Sequence, residues 1–140
     1  MTIKIDTRGL GGLLDKVNSL SPRIDQAVST AMADEGLSWR DDVRNNTPVD
    51  TGDLWRSWEL NGPDKKGLKF EMDLANNLEY AEHVEYGHRQ EPGRFVPAIG
   101  KRLKADYVPG YYMLRDGTRR LEDSLKPAVQ KEVRKAIESL

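Results

Sequence analysis

The sequence predicts an α+β fold, a small antiparallel sheet packed against a long N-terminal helix and a C-terminal helix. Three observations carry this. Apolar residues recur at helical spacing through most of 9–46, residues 68–74 alternate strictly, and helical spacing returns from Tyr111 to the end. A chain of 140 residues has the length of one domain. Nothing in the sequence marks a second one, so residues 1–140 are expected to form a single unit.

Residues 1–8 alternate weakly, Ile3 and Ile5 against Lys4 and Asp6, as a short strand or a free arm would. Leu10, Leu13, Leu14 and Val17 then share a helical stripe. Ser21-Pro22 restarts the helix, because Ser caps well and Pro suits the first helical position. The stripe continues through Ile24, Ala27, Val28, Ala31, Met32, Glu35, Trp39 and Val43, with Gly36 weakening the helix. Asn45-Asn46-Thr47-Pro48 ends it, since the residue before Pro is driven from helical angles. Residues 47–55 are turn-rich and Ser57–Leu60 reads as a strand. Asn61-Gly62-Pro63-Asp64 is a turn signal. Leu68, Phe70, Met72 and Leu74 alternate with Lys69, Glu71 and Asp73, which gives a second strand and an antiparallel hairpin. Residues 78–87 read as a helical turn that stops at Gly87. Residues 88–110, with three glycines and three prolines, read as a long mobile loop. Leu114, Leu121, Leu125, Val129, Val133 and Ile137 mark the last helix, which Pro127 should kink or split.

Composition narrows the function. Lys plus Arg is 22 and Asp plus Glu is 23, a net charge of −1. That argues against a generally basic nucleic-acid binder, though not against a local basic patch. The absence of cysteine removes disulfides, thiolate zinc sites, iron–sulfur clusters and cysteine nucleophiles. No apolar run approaches the ~18 residues of a membrane span. The N-terminus lacks an apolar signal core. The reading is of a soluble, cytosolic product.

Val49-Asp50-Thr51-Gly52 contains the Asp-Thr-Gly of aspartic proteases. That chemistry needs two carboxylates sharing a proton in a strand-rich, symmetric site. Here one copy follows a helix. The turn reading fits better, with Asp50 or Thr51 capping free N–H groups near Asp53–Trp55 and Gly52 allowing the bend. A lost Asp50 turn bond should cost ~0.5–2 kcal/mol. Glu82, His83, Glu85 and His88 carry metal-ligand chemistry, but the His-Glu-x-x-His order is absent and Gly87 breaks the helix between the histidines. An ordinary surface or interface pair is the simpler reading. No phosphate loop, nucleophile elbow or dinucleotide fingerprint occurs. No cofactor or metal is expected. Trp39, Trp55 and Trp58 suit core packing between helix and hairpin, and at least one could anchor a subunit interface. Arg89, Arg94, Lys101, Arg102 and Lys104 face only Glu91 and Asp106, so this stretch is locally basic. It either meets DNA or is a solvated loop.

Three motifs together resemble a known family. Thr47-Pro48-Val49-Asp50-Thr51-Gly52-Asp53-Leu54 with Ser57 is similar to a signature of the head–tail joining (neck or tail-completion) proteins of tailed bacteriophages. Tyr80-Ala81-Glu82-His83-Val84-Glu85-Tyr86-Gly87 matches their second, although His88 stands where Thr is usual. Val108-Pro109-Gly110-Tyr111-Tyr112-Met113-Leu114 matches a third. The resemblance implies a non-enzymatic structural virion protein without cofactor. It would assemble in the host cytoplasm as a ring around the DNA channel, sixfold or twelvefold. Its partners would be itself, the connector and the tail proteins, without a membrane. Asp50, Thr51 and Gly52 would shape the turn between helix and sheet. Tyr80, Glu85, Tyr86 and Gly87 would fix the junction between sheet and loop. Arg89, Arg94, Lys101, Arg102 and Lys104 would line an interface or the DNA lumen, touching DNA weakly and without sequence preference. Rings need different patches on the two sides of a protomer. The loop at 88–107 and one flank of the N-terminal helix are expected to supply them. A minor tail or capsid-associated protein of the same fold, a DNA-binding module and a hydrolase are the alternatives.

Overall fold

The computed structural model describes residues 1–7, 22–67, 69–98 and 100–139. The predicted stripe Leu10, Leu13, Leu14 and Val17, the Ser21 cap and Leu68 lie outside the described residues. The elements run β1 (Thr2–Asp6), α1 (Pro22–Asn45), α2 (Asp53–Arg56), β2 (Trp58–Lys66), β3 (Lys69–Asn76), α3 (Ala81–Tyr86), β4 (Gly87–Arg89), β5 (Phe95–Val96), β6 (Lys101–Arg102), β7 (Tyr107–Pro109) and α4 (Met113–Glu138). The architecture is α+β, as the periodicities predict.

Helices α1 and α4 form an antiparallel pair. Arg23 lies against the Ser139 carbonyl at 3.1 Å, the Ser124 hydroxyl donates to Glu35 at 2.6 Å, and Arg120 grips Asp42 at 2.7 and 3.0 Å. The buried stripe of α1 is Ile24, Ala27, Val28, Ala31, Met32, Trp39 and Val43, met by Leu114, Leu121, Leu125, Val129 and Val133 from α4. One predicted member differs. Glu35 stands at the edge of the stripe, and Gly36 takes the buried place. A Cβ on Gly36 would lie 3.0 Å from the Met72 sulfur and 3.2 Å from Leu60, so the glycine lets α1 approach the sheet. Gly117 does the same for the helix pair, its absent Cβ falling 2.6 Å from Val43 Cγ2.

The sheet has the order β1-β3-β2, all antiparallel. The N-terminal residues are therefore a paired strand, Thr2 opposite Ala75 through Asp6 opposite Glu71. Phe70, Met72 and Leu74 of β3 are buried, and Lys69, Glu71 and Asp73 share the other face. Glu71 holds Lys69 at 2.8 Å and Lys66 at 3.3 Å. These bonds, Lys69 first, lower its carboxyl pKa below the ordinary value.

Three expectations need correction. Asn61-Gly62-Pro63-Asp64 is not the hairpin turn. β2 runs through it with a register shift between Asn61 and Asp64, and Lys66 pairs with Lys69 across a two-residue connection. The cause is position: β2 is an edge strand, where a bulge and a proline are tolerated. Next, Pro127 does not split the last helix, since α4 is unbroken over 26 residues. Pro127 and Asp123, whose carbonyl loses its helical partner, are both exposed, so solvent can satisfy the freed group. Finally, residues 88–110 are not an unstructured loop. Gly87–Arg89 pairs with Tyr107–Pro109, Gln90 N–H donates to the Asp106 carbonyl at 2.9 Å, and Leu103 N–H donates to the Arg94 carbonyl at 2.8 Å. Phe95–Val96 pairs with Lys101–Arg102. The segment is a two-stranded arm. Most of its residues are exposed and the rest only half-buried, so it shows no clean alternation of buried and exposed positions, which hides it from a periodicity reading.

Candidate assembly surface

The first motif builds the exit from α1. Thr47 is buried. Its hydroxyl donates to the Val43 carbonyl at 2.7 Å and accepts the Trp58 indole N–H at 2.9 Å, tying the helix end to the start of β2. Gly52 has φ of 86° at the cap of α2, and the Asp53 N–H donates to Thr51 Oγ1 at 3.3 Å. The Thr51 hydroxyl and then the Arg56 guanidinium, 2.7 Å away, hold the Asp53 carboxyl below its ordinary pKa. Ser57 closes the other end, its hydroxyl donating to the Asp53 carbonyl at 2.7 Å. Leu54 is buried, and its carbonyl accepts from the buried Asn76 amide at 2.8 Å. Thr51 is thus the residue that makes the turn bond. Asp50 is exposed and makes no such bond among the described residues, so the expected cost of losing one there does not apply.

The second and third motifs meet at a backbone crossing. Glu85 on α3 is only 1% exposed. Its two carboxylate oxygens accept the Leu114 N–H at 2.8 Å and the Arg115 N–H at 2.9 Å. A carboxylate here satisfies orphan donors and sits at the positive end of the helix dipole. Tyr112, the residue before α4, has φ of 50° and no capping side chain, so Glu85 supplies the cap from a distance. Tyr111 N–H donates to the Val84 carbonyl at 2.9 Å and Tyr112 N–H to the Glu85 carbonyl at 3.0 Å. Gly87 and Gly110 let the chains touch. A Cβ on Gly87, where φ is 82°, would overlap the Val108 carbonyl and approach Tyr107 Oη within 2.5 Å, and one on Gly110 would overlap the Glu85 carbonyl. The Tyr107 hydroxyl donates to the Tyr86 carbonyl at 2.8 Å. The predicted junction residues Glu85, Tyr86 and Gly87 are therefore together. Tyr80 instead faces the first motif.

Between the 48–54 turn and α3 lies an open groove of about 450 Å³. Val49, Leu54, Tyr80 and Val84 give it apolar walls, and Asp50 and Asp53 also line it. The two motifs thus border one surface.

The arm carries all five predicted cations. Arg89, Arg94, Lys101, Arg102 and Lys104 are exposed, and none has an ion-pair partner among the described residues. Arg102 donates to the Gly93 carbonyl at 2.8 Å and braces the arm. Apolar surface accompanies the charge: Phe95, Tyr86, Tyr107 and Tyr111 are all about half exposed or more. On α1 the exposed apolar residue is Leu37. Trp39 and Trp58 are buried, as core packing predicts, whereas Trp55 lies partly exposed beneath the Arg44 guanidinium, 4.7 Å from its ring centre.

The rings of His83 and His88 lie edge to face at 5.3 Å, and no group of three or more potential metal ligands comes together among the described residues. No helix among the described residues is long and apolar enough to cross a membrane.

The described residues thus carry a braced two-stranded arm and, between the first motif and α3, an open apolar groove. The family model described as "Bacteriophage HK97-gp10, putative tail-component" matches residues 12–87, more than half of the chain. The chain belongs to this HK97-gp10-like family of phage tail components. The match contains the first two motifs, and the arm and α4 lie beyond it. No curated protein and no solved structure matches the chain.

Proposed function

We propose that this chain is a structural subunit of the virion that joins the head connector to the tail, as a homo-oligomeric ring around the DNA channel. Family membership supports the tail location. The arm is the observation that carries the rest, because it carries exposed cations and half-exposed aromatics that the core does not use. Surfaces of that kind seek partners. The subunit transforms no substrate. It assembles in the host cytoplasm, with the connector above and the tail tube below. The ring is sixfold or twelvefold, and each contact between neighbours should bury more than ~1,000 Å². Arm cations not used between subunits face the lumen and meet DNA phosphates weakly, without sequence preference.

Negative-stain imaging of the purified protein, with native mass measurement, tests this. Closed rings of one copy number are expected. Monomers or twofold dimers at every concentration would overturn it. Filter binding should show DNA affinity that is weak, blind to sequence and lost with salt.

A further inference from the structure

We propose that the groove between the 48–54 turn and α3 receives the arm tip of a second copy of the chain. Phe95 and Val96 of the arriving arm fill the apolar walls, and its cations face the groove's carboxylates. The proposal deepens the ring reading and rests on it.

Charge complementarity points to this occupant. Asp50 lines the groove, exposed and without a partner among the described residues. Glu79 and Glu82, on either side of Tyr80 in the sequence, are exposed and make no ion pair among the described residues. Arg56, the neighbouring cation, is already bound to Asp53 and to the Thr51 carbonyl. The arm offers the reverse pattern. Arg94, Lys101 and Lys104 are exposed on the same arm as Phe95, which is 51% exposed, and Val96, which is half-buried.

Shape agrees with charge. The groove of about 450 Å³ has room for an aromatic ring and a small aliphatic side chain. No described residue of the arm lines the groove of its own chain. From Arg89 to Pro97 the arm extends at most ~26 Å at 3.3 Å per residue. A globular chain of this length has a radius of gyration near ~14 Å. The tip can therefore reach the edge of an adjacent protomer. Arm and groove are different patches, so the contact is head-to-tail and closes into a ring when its rotation allows.

The chain has no cysteine, so engineered pairs can be read without background. Full-length Ala98→Cys protein, with its thiol at the arm tip, is mixed under mild oxidation with differently tagged Val49→Cys protein. Ala98 and Val49 are both exposed, and neither change touches the core. Ile137→Cys, exposed at the far end of α4, is the control partner. Docking holds the two thiols at a high effective concentration, so the Ala98–Val49 product should exceed the Ala98–Ile137 product by roughly tenfold or more. Adding Phe95→Asp to the tip, or Asp50→Lys to the groove, should remove that excess. Equal products, or a dominant Ala98–Ala98 product, overturn the groove assignment. If rings are still seen by imaging, the ring reading stands without it. Protein that neither cross-links nor forms rings overturns both.

Discussion

Replacing Glu85 with alanine removes the cap of the 26-residue α4. The Leu114 N–H is buried and loses its acceptor, while the Arg115 N–H is partly exposed and can turn to water. An unsatisfied buried donor costs ~1–3 kcal/mol and a lost cap ~0.5–2 kcal/mol. Deleting the rest of a fully buried side chain adds about 1 kcal/mol. The terms add to roughly 2.5–6 kcal/mol, or a melting shift of about 8–20 °C for a chain of this size. Glu85→Gln keeps one acceptor oxygen, but its amide NH2 then faces the second N–H. It should lose about half as much. Denaturant unfolding followed by the fluorescence of the buried Trp39 and Trp58 measures both. Glu82→Ala, at an exposed neighbouring position, is the control and should stay within about 0.5 kcal/mol. The reasoning is refuted if Glu85→Ala lies within about 1 kcal/mol of the parent, or if it is no worse than Glu82→Ala.

Four further outcomes are expected. Gly87→Ala and Gly110→Ala drive a methyl into facing backbone and should unfold the arm root, whereas Gly93→Ala, with φ of 83° and open space around it, should cost only ~1–2 kcal/mol by thermal melting. Gly117→Ala should destabilise by ~1–3 kcal/mol through its clash with Val43, and a double-mutant cycle with Val43→Ala should show partial recovery. Thr47→Val leaves the buried Trp58 N–H without its acceptor and should cost ~1–3 kcal/mol in the same unfolding assay. The carboxyls of Asp53 and Glu71 are depressed in the fold, so their contribution is present above the ordinary values of 3.8 and 4.5 and is lost as pH falls below them through the folded values. Stability should therefore decline with acid in that window, and Glu71→Gln should flatten the decline in pH-dependent melts.

The helix pair and the central strand were legible because each buries one face. The Ile24–Val43 stripe, the last helix and the Phe70-Met72-Leu74 alternation all report a partner on one side. What escaped depends on contacts between distant segments. Gly36 and Gly117 look like weak points of their helices, yet each is a place where two elements come close. Glu85 was placed at a junction from the motif, but its ligands are backbone groups of Leu114 and Arg115, which no local spacing announces. Asn61–Asp64 has the composition of a turn, and only its place on an edge strand makes it a bulge. The arm misled for the opposite reason, since a largely exposed ribbon has no strong periodic signature. Among the candidate turn residues, Thr51 accepts the Asp53 N–H, and Asp50 makes no hydrogen bond or ion pair among the described residues. The basic residues lie together on the arm, and the strand pairing that holds Arg89, Lys101 and Arg102 has no local signature in the sequence.

The central claim is that this chain is a fixed part of the particle at the junction of head and tail. Antibody labelling of intact particles from the encoding phage or induced prophage, viewed by electron microscopy, tests it most directly. Label at the neck, between capsid and tail tube, is the predicted result. Particles that carry no label anywhere, while the protein is abundant in the lysate, would contradict it.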